Sequence, residues 1–154
     1  MSSQSMPGRL SPDLLQALHG NKPVRRFPQG ATLIQHASPA MGVYLVESGE
    51  VRVLLPTGPN QNQMVEVVGP GSLLGLSENM IGEDYRVSLE AVEETTAVFI
   101  PRAEFLSFLR EHCDFCIQVV QVLSKDLHRL YEKFRNITAH PGRPRQRLLD
   151  EQVN

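Results

Sequence analysis

Several things are scarce in this sequence of 154 residues, and each scarcity removes a class of protein. Two cysteines, Cys113 and Cys116, are too few for a disulfide framework. No apolar run reaches the roughly 20 residues that a membrane-crossing helix needs. The N-terminal MSSQSMPGRLSPD has neither an apolar core nor a cleavage pattern, so it does not read as a secretory signal. The net charge is only -2, which gives the whole chain no general pull toward nucleic acid. Tryptophan is absent, and there are only three tyrosines and six phenylalanines. These features together point to a cytoplasmic protein with no membrane association.

Enzyme signatures are missing too. The histidines, His19, His36, His112, His128 and His140, are scattered, with no H-x-H or H-x-x-x-H cluster. A metal-dependent, cupin-like barrel enzyme needs such a cluster with an acid. There is no G-x-S-x-G and no Walker loop. Cys113-Asp114-Phe115-Cys116 is a C-x-x-C with His112 beside it, but no second pair completes a zinc site. A buried small residue is the plainer reading of a free cysteine. No catalytic residue and no metal ligand is assigned, and the chain is expected not to be an enzyme.

What the sequence does contain falls into three zones. Ser11-Pro12-Asp13 opens a short helix with an N-cap, a proline at the first helical position and an acid in the first turn; Gly20 ends it. From residue 23 onward, short β-branched segments alternate with turn residues. Val24–Phe27, Thr32–His36, Val43–Glu47, Val51–Leu55, Gln63–Val68, Tyr85–Val92 and Thr96–Ile100 read as strands. Gly and Pro clusters separate them, which argues for an antiparallel sandwich or barrel that can hold one ligand.

After Pro101 the period becomes helical. Arg102–Glu111 presents Phe105, Phe108 and Leu109 on one face. A longer helix over Asp114–Ile137 carries Val120, Leu127 and Phe134 at a spacing of seven, with Leu123, Leu130 and Ile137 offset by three. That is an a/d seam. It fits a parallel coiled coil in a homodimer, or a helix that covers its own barrel. Beyond Asn136, prolines and a glycine interrupt the pattern, and Arg143, Arg145 and Arg147 make a small basic cluster. The predicted organisation is a helical segment over 1–22, a β-barrel over 23–113, a dimerisation helix over 114–137 and a basic, flexible tail over 138–154.

The segment GSLLGLSENMIGEDYRVS, residues 71–88, has a glycine-rich entry, a short polar turn of helix and one arginine, the outline of an anion pocket. With FPQGATLIQHASPAMGVYLVESGEVRVLL, VVGPGSLLG and AVFIPRAEFLSFLREH, it resembles the sensor domain of the cyclic AMP receptor protein and fumarate–nitrate regulator (Crp/Fnr) family, a cyclic nucleotide-binding domain. The resemblance runs from about Phe27 to Asn136.

It implies a mainly β fold: a double-stranded β-helix (jelly-roll) barrel with an N-terminal helix and a long C-terminal dimerisation helix. It also implies a phosphate-binding cassette in which Gly75, Leu76, Ser77 and Val87 offer backbone N–H groups. Arg86 would supply the charge, facing inward, and Ser88 a hydroxyl. Tyr131 on the long helix would reach the ligand. The family's ribose-binding carboxylate falls on Leu76, which cannot accept a hydrogen bond; Glu78 lies two residues on. Leu130 falls near the family's purine-contacting position and offers no side-chain hydrogen bond. The implied function is a non-catalytic, ligand-sensing regulatory domain, in transcriptional regulation or signalling, for cyclic AMP, another cyclic nucleotide or another small anion. No cofactor is assigned with certainty. A ligand-free dimeric interaction module is the alternative. The family's winged helix-turn-helix follows the long helix, where this chain ends, so DNA binding through this chain alone is not expected.

Overall fold

The computed structural model describes residues 10–139, with side chains to residue 136. The chain divides into two compact units, Leu10–Cys116 and the part from Ile117 onward. The first contains α1 (Pro12–His19), then β1 (Val24–Phe27), β2 (Thr32–Ile34), β3 (Gly42–Ser48), β4 (Val51–Gly58), β5 (Gln61–Val68) and β6 (Leu73–Leu74). There follow α2 (Leu76–Ile81), β7 (Ser88–Ala91), β8 (Thr95–Pro101) and α3 (Arg102–Glu111). The last helix, α4 (Cys113–Ala139), starts in this unit and makes up the described part of the second.

The strands form two antiparallel four-stranded sheets, ordered β1-β8-β3-β6 and β2-β7-β4-β5. Sequence neighbours are mostly not sheet neighbours, which is the wrapping of the expected jelly roll. The interior cluster takes Tyr44, Val46, Leu74 and Ala97 from the first sheet. Leu33, Ile34, Val51, Leu89 and Ala91 come from the second, and Tyr85 from the loop ahead of β7. Each Val, Leu or Ile side chain of the cluster, fully buried, contributes about 1.5–3 kcal/mol.

The caps are as read. The Ser11 hydroxyl accepts from the Leu14 amide at 3.5 Å, and Gly20 closes α1 with a positive φ of 54°. Phe105 and Phe108 of α3 pack edge-on against Phe115.

Several bounds differ from expectation: β2 stops at Ile34 instead of His36, and β3 and β8 each gain a residue at both ends. β4 and β5 extend to a two-residue turn in which Asn60 takes a φ of 56°, a conformation asparagine tolerates. β6 has only two residues, too few for a period-2 pattern to reveal. The predicted strand 85–92 begins instead at Ser88, because the chain bends at Arg86 and Val87.

On α4, Val120, Leu127, Leu130 and Phe134 are between 46% and 62% exposed, and Leu123 is half-buried. The predicted seam therefore forms an apolar stripe largely open to solvent in the single chain. The side chain of Ile137, the predicted tail 138–154 from residue 140 on, and the first nine residues lie outside the described residues.

Candidate ligand-binding site

The site grows from one sharp turn. β6 pairs with β3 through Leu74 with Tyr44 and Leu73 with Leu45. Gly75 then takes a φ of 82° and starts α2, and Gly82 ends it at 74°. Both values suit glycine. Gly75 is also sterically required, since a Cβ there would lie 2.8 Å from Tyr85 Cε1 and 3.2 Å from Ile34 Cδ1. α2 has no side-chain N-cap, and Leu76 turns inward and is buried.

The space behind Gly75 is filled by Tyr85. Its ring is buried, and its hydroxyl donates to the Gly42 carbonyl at 2.6 Å. Asn79, fully buried on α2, places Nδ2 at 2.7 Å from the Gly75 carbonyl, 2.9 Å from the Gly42 carbonyl and 3.1 Å from the Tyr85 hydroxyl. Two protons serve three acceptors, so one bond is shared. The Asn79 Oδ1 is left with no donor among the described residues. Burial pushes the Tyr85 hydroxyl above its usual 10.0, partly offset by its bonds to Asn79 and Gly42. A backbone pair fastens Tyr85 from outside: its amide donates to Ser38 O at 2.9 Å, and Ala37 donates to Tyr85 O at 2.8 Å. Ala37 holds a φ of 72°, a left-handed conformation that costs a non-glycine residue about 1–2 kcal/mol.

This fixes where Arg86 goes, and it corrects the expected inward guanidinium. With Tyr85 committed inward, the next side chain turns out. Arg86 is 77% exposed and faces Glu83 Oε1 at 3.5 Å. Its backbone amide is 3.4 Å from Glu78 Oε2. An acidic side chain thus stands at the guanidinium expected to serve an anion, and a second at the amide of the same residue. An exposed pair at that distance is weak and readily exchanged.

The other expected site residues separate. Gly75, Leu76 and Ser77 stay together at the start of α2, with Ser77 exposed. Val87 packs partly against the core cluster. Ser88 is buried, and its hydroxyl accepts from the His36 amide at 3.0 Å. Tyr131 is exposed on α4. Tyr85 and Asn79 were not foreseen. The available signal was a large aromatic ten residues after a glycine that needs room.

Outside the plug lies a depression of about 670 Å³, bordered by His36, Leu55, Pro56, Glu83, Tyr85 and Arg86. Arg86 stands at its rim with the acids Glu83 and Asp84, and Leu55 gives it an apolar wall. Among the described residues no group of three or more His, Cys, Asp or Glu is placed to hold a metal ion.

The pattern described as "Cyclic nucleotide-binding domain" matches residues 24–112, more than half of the chain. The chain belongs to the cyclic nucleotide-binding domain family. This domain is 29% identical over 86 residues to the cyclic AMP receptor protein of Thermus thermophilus, covering 56% of this chain and 40% of that protein. It is 23% identical over 125 residues to a CRP-like cAMP-activated global transcriptional regulator of Mycobacterium tuberculosis, covering 80% and 56%. It is also 27% identical over 104 residues to lysophospholipase nte1 of Aspergillus fumigatus, covering 68% of this chain but 7% of that one. The chain therefore spans between 7% and 56% of the length of these curated relatives.

Among solved structures, the Thermus thermophilus catabolite activator protein superposes with a TM-score of 0.74 at 23% identity, over 83% of this chain and 60% of that one. The sensor domain of the transcriptional regulator DNR from Pseudomonas aeruginosa gives 0.64 at 22%, over 80% and 83%. The family and the jelly-roll fold expected from the sequence are both borne out. Regulatory proteins of the Crp/Fnr type are among the relatives. Among the described residues no helix is long and apolar enough to cross a membrane.

Proposed function

We propose that this cyclic nucleotide-binding domain is a non-catalytic, ligand-sensing regulatory module, taking a small anionic ligand into the depression beside Arg86. The single observation that carries this reading is the position of Arg86. It stands at the rim of an open depression of about 670 Å³ in a cassette of the right family, its guanidinium held by an exposed 3.5 Å pair with Glu83. A cyclic phosphate offers that guanidinium two oxygens in place of one distant carboxylate. Cyclic AMP or another cyclic nucleotide is the first class to test, and the relatives named for cyclic AMP support it.

The sugar is recognised differently from the family pattern, since Leu76 is buried and cannot take a hydroxyl. A buried hydroxyl without a partner costs about 1–3 kcal/mol, a tenfold to hundredfold loss of affinity. Output is proposed to pass through a homodimer joined along the α4 stripe, Val120, Leu123, Leu127, Leu130, Phe134 and Ile137. The ligand would shift the population between two packings of that pair.

A second reading is favoured by one observation, the Tyr85 ring seated against Gly75. A cassette filled from within suits a ligand-free dimeric module that acts by protein interaction. Calorimetry with a panel of cyclic mononucleotides and dinucleotides separates the two. Measurable heat that disappears in Arg86→Ala supports the sensor, and flat traces throughout support the interaction module.

A further inference from the structure

We propose that Tyr85 is a latch: it occupies the heart of the cassette in the closed state, and its withdrawal frees the Asn79 Nδ2, 3.1 Å from the Tyr85 hydroxyl, to bond a ligand oxygen. The proposal rests on the ligand-sensing reading above and adds how the site is opened and what replaces the missing acid.

Three observations carry it. First, Tyr85 fits like a bound molecule rather than like a strand residue. Its ring lies where any Cβ on Gly75 would collide, and its hydroxyl takes the Gly42 carbonyl at 2.6 Å. It belongs to no strand, since the chain bends immediately after it and β7 starts at Ser88. A side chain on a loop can leave without breaking a sheet ladder.

Second, the closed state is incompletely satisfied. Asn79 is wholly buried, yet its Oδ1 has no donor among the described residues. Buried polar atoms are nearly always paired, and an orphaned acceptor raises the free energy of the state that holds it. The amide cannot repair this by flipping, because its Nδ2 already faces the carbonyls of Gly42 and Gly75. The amide that Tyr85 covers has hydrogen-bonding chemistry that Leu76 lacks: its Nδ2, now on the Tyr85 hydroxyl, can donate to a sugar hydroxyl oxygen instead.

Third, the movement has a handle. Arg86 directly follows Tyr85, so a ligand that draws the Arg86 guanidinium from Glu83 pulls on the latch itself. Its backbone amide is likewise free to leave Glu78, 3.4 Å away. The closed form then lowers apparent affinity by the fraction of molecules that are open.

Tyr85→Phe is the decisive variant, because it keeps the ring against Gly75 and removes only the hydroxyl. Hydrogen exchange at the amides of Asn79 and Gly82 reads latch opening, and calorimetry with cyclic AMP on the same 154-residue chain reads ligand entry. The latch requires faster exchange at both amides and an affinity raised roughly threefold to tenfold. Unchanged exchange overturns the proposal whatever the calorimetry gives. Faster exchange with cyclic AMP bound equally by both proteins also overturns it, because Tyr85 is then not in the ligand's way. Faster exchange without heat from either protein leaves Tyr85 as the latch and removes cyclic AMP as its ligand, a failure of the proposed function rather than of the latch.

Discussion

The Nε of Arg102 donates to the backbone carbonyl of Asn79 at 2.7 Å, tying the first residue of α3 to the middle of the cassette helix. The Arg102 amide also donates to Met41 O at 2.9 Å. A displacement of α2 is therefore felt at the start of α3 through one charge-assisted bond. Arg102→Ala is expected to lower stability by about 1–3 kcal/mol, read from urea unfolding. Arg102→Lys should recover little, since an ammonium does not reproduce the geometry of a guanidinium Nε–H. A loss below 0.5 kcal/mol, roughly the scatter of surface substitutions, contradicts this coupling.

Gly42 sits where β3 meets β8, and its carbonyl accepts from both Tyr85 and Asn79. A Cβ there would lie 2.4 Å from Ile100 O and 2.5 Å from Phe99 Cζ. The first neighbour is backbone in a central strand and cannot give. Gly42→Ala is expected to cost about 1–3 kcal/mol or more and to lower the melting temperature by several degrees. An unchanged melt shows that β3 has room that the packing denies.

Much of the barrel is legible in the sequence, and the reasons are local. Ser11-Pro12 and Gly20 bracket α1, and Val24–Phe27 and Arg102–Glu111 match their elements end for end. What escaped was decided by distant partners. The run from Tyr85 to Val92 alternates well enough to pass as a strand. Its first residues are instead held by backbone bonds to Ala37 and Ser38, nearly fifty positions away. That tether turns Tyr85 in and Arg86 out. A cassette inferred by spacing alone put the charge inside, where the structure puts a phenol ring. That Leu76 cannot serve as the acid, by contrast, is legible in the sequence, because it depends only on residue type.

Stability at high pH should report the buried phenol. Burial raises the Tyr85 hydroxyl above 10.0 in the folded chain. Below that pH the tyrosine is protonated whether folded or unfolded, and its contribution is level. Above it the unfolded chain ionises first, so stability falls as the pH rises through the folded value. Tyr85→Phe should flatten this limb in chemical denaturation between pH 9 and 11. A limb equally steep in both proteins assigns the effect to other groups.

The stripe on α4 carries the dimer proposal. Leu127 lies midway along it and is 48% exposed in the single chain. Leu127→Lys puts a charge into the seam and should convert the dimer to monomer in sedimentation equilibrium, with the barrel's melting little changed. A wild-type chain that is monomeric at tens of micromolar contradicts the proposed interface.

Arg86 tests the sensor reading most directly. Cyclic AMP and related cyclic nucleotides are titrated calorimetrically into the wild-type chain and into Arg86→Ala, with circular dichroism confirming that both are folded. Binding by the wild type that weakens tenfold or more in the variant is the expected result. No heat from any nucleotide, or equal affinity in both proteins, contradicts a ligand site beside Arg86.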